Sequence, residues 1–345
     1  ERGLPPFCRC LRLCSRRGPG TVPWAMGNSI PHCCCSENSA GLERGLSSQD
    51  APSRNELAVS MPSMSPSLPH AQDPSEENSA VFLHGGLRFL GKFQDGMKTG
   101  YGILERPDGS RYEGEFHEDK ASGPGTLTCA TGDVYEGQWL EDQASGFGRY
   151  SQADGSCYEG QWKQDQKDGF GQETWTDGSR YEGCYKGNQK EGKGTFTWAN
   201  GSWYTGEFSL DTIHGFGEYR WPDGRHYRGQ WSRNSLHGSG DMLWPDGRRY
   251  IGAYLRDQKH GKGCFCWANG NQYIGQWSAG RQHGLGKFRG KDGKVRRGRW
   301  QQGSLMNWLD SPRAEDPSDG FFHGDDQIPT QVVKDEGHGA PIRDL

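Results

Sequence analysis

An aromatic residue, a glycine two positions later and a second aromatic two positions beyond that recur along this chain every 23 residues. The segments begin at Phe89, Tyr112, Tyr135, Tyr158, Tyr181, Tyr204, Tyr227, Tyr250 and Tyr273, so nine full repeats occupy residues 89–295. A tenth starts at Arg296 and stops after Trp300. A half-repeat, Ala80 to His84 followed by Gly85 and Gly86, precedes the first. Strict alternation is the mark of a half-buried strand, because successive side chains point to opposite faces. In Tyr227-Arg228-Gly229-Gln230-Trp231 the two rings and the glycine share one face. A second strand follows: Gly215, Gly217, Tyr219 and Trp221 share one parity, as do Gly261, Gly263, Phe265 and Trp267. The other parity is mostly polar, with Glu218 and Arg220, Thr195 and Thr197, and Lys287 and Arg289. Each repeat is therefore predicted to be two antiparallel strands with one apolar and one wet face.

Four glycines recur in all nine repeats, for example Gly183, Gly192, Gly194 and Gly201, and account for 36 of the 54 in the chain. Glycine between two rings removes a side chain, so that an aromatic can lie over the backbone. Pro222-Asp223-Gly224 and Ala199-Asn200-Gly201 predict tight type I′ turns between repeats. Within a repeat, six residues such as Leu140 to Ser145 predict a longer hairpin loop. Hairpins stacked at about 10 Å per repeat would form an elongated twisted ribbon roughly 90 Å long. A lone two-stranded unit is unstable, so stacking of neighbours must hold it.

The frame Tyr158-Glu159-Gly160-Gln161-Trp162, with Gly169, Gly171 and Asp177-Gly178, resembles the MORN repeat (membrane occupation and recognition nexus). The resemblance covers residues 89–300. It implies an all-β ribbon of tandem hairpins that serves in scaffolding, membrane apposition or cytoskeletal and ciliary attachment. It does not choose among these, since a fold hosts many functions.

Composition agrees with a thin structure: hydrophobic residues make up 31% and mean hydropathy is -0.95. A large three-dimensional core is therefore excluded, although 13 tryptophans must still be buried. No apolar run reaches the length of a transmembrane helix. The net charge of -4 excludes a generically basic nucleic-acid binder, but the charge is unevenly spread. Residues 89–180 carry 9 Lys/Arg against 17 Asp/Glu, net -8, whereas 181–300 carry 20 against 10, net +10. Lys287, Arg289, Lys291, Lys294, Arg296, Arg297 and Arg299 form the densest basic cluster, the candidate site for anionic phospholipid or an acidic protein.

The flanks read differently. Residues 36–79 hold 11 serines and 5 prolines and are expected to be a disordered tether. Residues 302–345 are acidic, with 9 Asp/Glu against 3 Lys/Arg, and are expected to be mostly disordered. Within them Leu305, Trp308 and Leu309 have helical spacing and predict a capping helix over 304–309. Residues 1–35 form an N-terminal extension, within which Met26 is the expected start. From there Gly27 is a candidate myristoylation site, and Cys33, Cys34 and Cys35 are candidate palmitoylation sites. Pro31 stands where the myristoylation motif carries Ser or Thr. Two acyl chains would matter, since a single myristoyl chain binds only marginally. No signal-peptide core precedes Met26, so reduced cytoplasmic thiols are expected.

Catalytic and metal chemistry is not expected. His214, His237, His260 and His283 recur at 23-residue spacing, which places them about 10 Å apart, too far to share one ion. Gly187 and Gly192-Lys193 approach a phosphate loop, but Gly194 replaces the Ser/Thr, and both Gly192 and Gly194 belong to the repeat frame. The sequence therefore predicts a non-enzymatic scaffold without cofactor, metal, nucleic acid or small-molecule substrate. Protein partners and anionic membrane lipids are expected at a cytoplasmic membrane face. The alternative is a cytoskeletal or ciliary (axonemal) adaptor that makes no membrane contact.

Overall fold

The computed structural model describes residues 80–309. The tether at 36–79, the acylation candidates Gly27, Cys33, Cys34 and Cys35, the expected start at Met26, and the acidic tail beyond Leu309 lie outside the described residues. Those described form 21 β-strands, one short 3-10 turn at His84–Gly86 and no α-helix. They divide into two compact blocks, residues 80–171 and residues 172–309. In both, each strand pairs antiparallel with the next in the chain.

Both turn types differ from their expectation. The link between repeats is a three-residue loop. At Trp221 to Arg225, Gly224 N–H donates to Trp221 O at 3.0 Å and Trp221 N–H donates to Arg225 O at 3.0 Å. Only Gly224 has positive φ, at 86°, so this is a type I turn closed by a left-handed glycine. The type I′ geometry occurs inside the repeat instead. Strands Val134–Leu140 and Gln143–Ser151 are joined by Glu141 and Asp142 alone, at φ 49° and 68°. The residues read as loop therefore extend the ladder. The reason lies in the first glycine of each Gly-x-Gly: Gly146 takes φ 79° and makes a bulge, which restores the register between Trp139 paired with Ala144 and Gly137 paired with Gly148.

The second residue of each type I′ turn fastens its hairpin to the preceding one. Asp142 N–H donates to Ala121 O at 2.9 Å, and Asp142 Oδ1 accepts from Ala121 N–H at 2.8 Å. Asp119 with Lys98, Asp165 with Ala144, Asp211 with Lys190, Asn234 with Ile213 and Asp257 with Leu236 repeat the clasp. Five of these six clasps use a carboxylate, and Asn234 makes the neutral equivalent.

The first tyrosine of each repeat is the core. Tyr112, Tyr135 and Tyr158 in the N-terminal block and Tyr181, Tyr204, Tyr227, Tyr250 and Tyr273 in the C-terminal block are all buried. Each ring lies over its own glycines, and its hydroxyl donates to the carbonyl three residues on, as Tyr158 does to Gln161 O at 2.9 Å. Edge-to-face contacts run from ring to ring: Tyr112 to Trp139 at 5.2 Å, Tyr135 to Trp139 at 5.1 Å, Tyr135 to Trp162 at 5.4 Å. Trp139 and Trp162 each thus touch their own tyrosine and that of the repeat before, as Trp231 and Trp277 do in the C-terminal block. Trp139 Nε1 also donates to Gly125 O of the preceding repeat at 3.0 Å, and Trp162 Nε1 to Gly148 O at 2.9 Å. A single-layered sheet in this way buries large rings without a second layer.

Both ends differ from a plain repeat. Val81–Phe82 pairs with Arg88 and Phe89, so the half-repeat at the start is a real strand. At the other end Ser304–Trp308 is a strand, not the expected helix. The turn at Gln302 and Gly303 continues the 23-residue frame, and Trp300 pairs with Leu305. Backbone pairing with Val295–Gln301 decides the structure over the helical spacing of three side chains, because it covers an otherwise open edge. The array accordingly extends to Trp308.

The Asp-Gly-Ser turns predict a response to acid. Asp154 Oδ1 accepts from Ser156 N–H at 2.8 Å and from Ser156 Oγ at 2.6 Å. The Ser hydroxyl, and after it the Ser amide, holds the carboxyls of Asp108, Asp154 and Asp177 below the ordinary carboxylate value. A depressed folded pKa gives stability that is present above the unfolded value, near 3.9, and lost as pH falls through the folded one. Replacing all three aspartates with asparagine is expected to lower the melting temperature slightly at pH 7, since solvent screens such exposed groups. The deficit should shrink between pH 4 and roughly pH 2. A deficit that stays constant across that range would show that the charge is immaterial.

Candidate interaction surface

The wet face of the C-terminal block is ordered by cross-strand pairing. Glu218, Arg228, Asp241, Ile251, Cys264, Ile274, Lys287 and Arg297 stand opposite one another in that sequence on successive strands. The first three are an acid–base set: Glu218 meets Arg228 at 3.4 Å and His226 at 3.7 Å. Asp241 takes Arg249 through two bonds of 2.9 and 2.6 Å. Three apolar positions follow, of which Ile251 and Cys264 are buried. Two cations end the row.

Those cations belong to strands Arg281–Arg289 and Val295–Gln301. Lys287 lies directly opposite Arg297, Leu285 opposite Arg299, and Arg289 opposite Val295. Lys287, Arg289, Arg297 and Arg299 thus share one face. Burial, and after it the facing Arg297, lowers the pKa of the Lys287 ammonium. Like charges directly opposed weaken a sheet. The remaining members of the cluster separate from these four. Arg296 points to the opposite face, where its guanidinium stacks 3.9 Å from the Trp308 ring centroid. Lys291 and Lys294 lie at the intervening turn, with Lys294 Nζ 3.4 Å from Asp292. A sequence cluster of seven is therefore a four-residue face, a stacked arginine and two turn lysines.

Other polar features of the array have structural roles. Lys259 Nζ lies 4.7–5.6 Å from the rings of Phe265, Trp277, Tyr250 and Trp244, and burial lowers its pKa. Its slot is filled by Ile213 and Leu236 in the two preceding repeats, so the lysine stem fills a core position. Cys264 Sγ is 3.9 Å from Cys266 Sγ, and burial pushes the Cys264 thiol up to about 12, which makes it inert as a nucleophile. His214, His260 and His283 stand opposite Glu207, Ala253 and Gln276, one in each repeat. Gly192 and Gly194 lie inside the strand Gln189–Thr197. Trp198 packs between Phe196 at 4.4 Å and Tyr219 at 5.6 Å. No helix among the described residues is long and apolar enough to cross a membrane.

Among solved structures, the chain is similar to the TCP10 domain of Danio rerio CPAP in complex with a STIL peptide, at 14% identity and a TM-score of 0.37. That likeness covers 68% of this chain and 99% of the domain. The TCP domain of SAS-4 from Drosophila melanogaster, in complex with a proline-rich motif of Ana2, is similar at 15% identity and a TM-score of 0.29. It covers 51% of this chain and 89% of that one. Likeness at this level implies nothing about function. No curated protein matches the sequence. The MORN repeat model, in contrast, matches nine consecutive segments, at 89–111, 112–134, 135–157, 158–180, 181–203, 204–224, 227–248, 250–272 and 273–295. With its hairpins in the same frame, the chain belongs to the MORN-repeat family.

Proposed function

We propose that this protein is a non-catalytic scaffold that rests on an anionic phospholipid surface through the last repeats of its array. The carrying observation is the Lys287–Arg297 pair, opposed across the ladder and flanked by Arg289 and Arg299 on one face. Next to it along the same row stands Ile274, the one of the three apolar positions that is not buried, so a part-exposed apolar side chain lies beside the cations as at a headgroup boundary. Each well-placed cation near an anionic leaflet is worth about 1 kcal/mol, within a Debye length. The N-terminal segment supplies a second attachment in this reading, through acylation of Gly27 and of Cys33, Cys34 and Cys35, at the cytoplasmic face of a membrane. Repeats away from the basic end remain available to protein partners.

Cosedimentation of the full unacylated chain with vesicles tests the first attachment separately. Wild type is expected to pellet with phosphatidylserine-containing vesicles at low salt and not with phosphatidylcholine alone. Lys287→Ala with Arg297→Ala should weaken partitioning about 30-fold, the loss of about 2 kcal/mol. Arg296→Ala, on the other face, should have little effect. Equal pelleting by the double variant and wild type would remove the basic face from the account.

A further inference from the structure

The outer face of the N-terminal block carries a different surface, at the residue between the two glycines of each Gly-x-Gly. Those residues are Tyr101, Pro124, Phe147 and Phe170. Tyr101 is 47% exposed and Phe147 39%, whereas the first tyrosine of each repeat is buried. Leu140, 59% exposed, adds to the strip. Beside it is a cleft of about 280 Å³ lined by Pro124, Gln138, Leu140 and Ser145. In the C-terminal block the same column reads Lys193, Phe216, Ser239, Lys262 and Leu285, so a column that is apolar in every repeat belongs to the N-terminal block alone, with Glu115, Gln138 and Gln161 on the strands between its members.

Its surroundings are acidic. Glu115 stands opposite Tyr101, and the next row on the same face holds Glu113, Glu136 and Glu159. Arg149 lies between Glu136 and Glu159, and Arg111 pairs with Glu113. These two arginines leave the block acidic: residues 80–171 contain 9 Lys/Arg and 15 Asp/Glu. Tyr101 Oη donates to Glu113, which holds the ring on the face.

The spacing selects the occupant. Successive members of the strip are two strands apart, about 9.6 Å. Seven residues of α-helix rise about 10.5 Å. A helix that lies across the strands therefore presents one heptad to each repeat, and four contact points need about 20 residues. We propose that this strip docks a basic amphipathic helix of a partner protein, with apolar residues recurring every seventh position and Lys or Arg on either side. This surface is independent of the basic end assigned to lipid above, and either can stand without the other.

The test is fluorescence anisotropy of the full chain with a labelled three-heptad peptide, Leu at positions a and d and Lys at e and g. Wild type is expected to bind, more weakly as salt is raised. Tyr101→Ser with Phe147→Ser changes no charge and should weaken binding at least tenfold at an unchanged melting temperature. Phe216→Ser, in the C-terminal block, should leave affinity unchanged, and a peptide with Glu in place of Lys should not bind. The proposal is overturned if wild type does not bind the basic peptide. It is also overturned if the two serine variants weaken binding alike or not at all, because the attraction would then be charge without the strip.

Discussion

Replacing Gly229 with alanine is expected to destabilise the C-terminal block by about 3 kcal/mol, the upper part of the range for overpacking. Gly229 faces Gly240 across the ladder. A Cβ there would stand 2.6 Å from Gly240 Cα, 2.6 Å from Ser239 O and 2.5 Å from Tyr227 Oη. Two of those three atoms are backbone, so no side-chain rotation clears the space. Either the strands His226–Ser232 and Ser235–Leu243 move apart, or the Tyr227 ring lifts off and unpacks its neighbours. Gly247→Ala is the control. Gly247 has φ 88° but nothing near its missing Cβ, so that variant pays only for backbone conformation, about 1 kcal/mol. Urea unfolding of the two variants separates the effects, and equal losses would mean that close approach is not what selects glycine at position 229.

Tyr227→Ala should cost about 4 kcal/mol, as for other buried aromatics truncated to alanine. The Tyr227 side chain is fully buried and meets Trp231 at 5.3 Å and Tyr254 at 5.4 Å, both edge to face. Its hydroxyl donates to Gln230 O at 2.9 Å. Truncation opens a hole that two neighbouring repeats share and leaves that carbonyl short of a donor. Tyr227→Phe keeps the ring and should cost only about 1 kcal/mol. Because each repeat touches mainly its neighbours, the damage should be local. Amide exchange is expected to quicken in His226–Ser232 and the strands beside it, with little change in Gln272–Ser278. Uniform quickening throughout the block would contradict the nearest-neighbour picture.

The frame of this fold was legible because it obeys two simple periods at once. Period two within Tyr227-Arg228-Gly229-Gln230-Trp231 assigns the buried face, and period 23 assigns the stacking, so Tyr, Trp and Gly could be placed inside without coordinates. The interaction surface was only partly legible. The seven cations stood out as a cluster along the chain, but chain proximity does not respect the alternation of faces, which sends Arg296 away from Arg297. A better signal was present in the column between each tyrosine and its glycine. That column reads Glu113, Glu136, Glu159, Glu182, Thr205, Arg228, Ile251, Ile274 and Arg297, changing from acidic to apolar and basic along the array. The same column approach, applied to Gly-x-Gly, finds Tyr101, Pro124, Phe147 and Phe170.

Sequence alone determined that this protein is an all-β array of tandem hairpins with an aromatic and a polar face. Side-chain alternation and glycine placement are local properties, and nine copies of the same message remove ambiguity. Tertiary structure decided what depends on partners across the ladder. It placed the type I′ turn at Glu141-Asp142 rather than at Asp223-Gly224, since the bulge at Gly146 sets where the strands can meet. It turned Asp142 from a polar loop residue into a clasp on Ala121, 21 residues away. It made a strand of Ser304–Trp308, because an open edge offers hydrogen bonds that three side chains at helical spacing cannot match. Register is a relation between two segments, and neither segment carries it by itself.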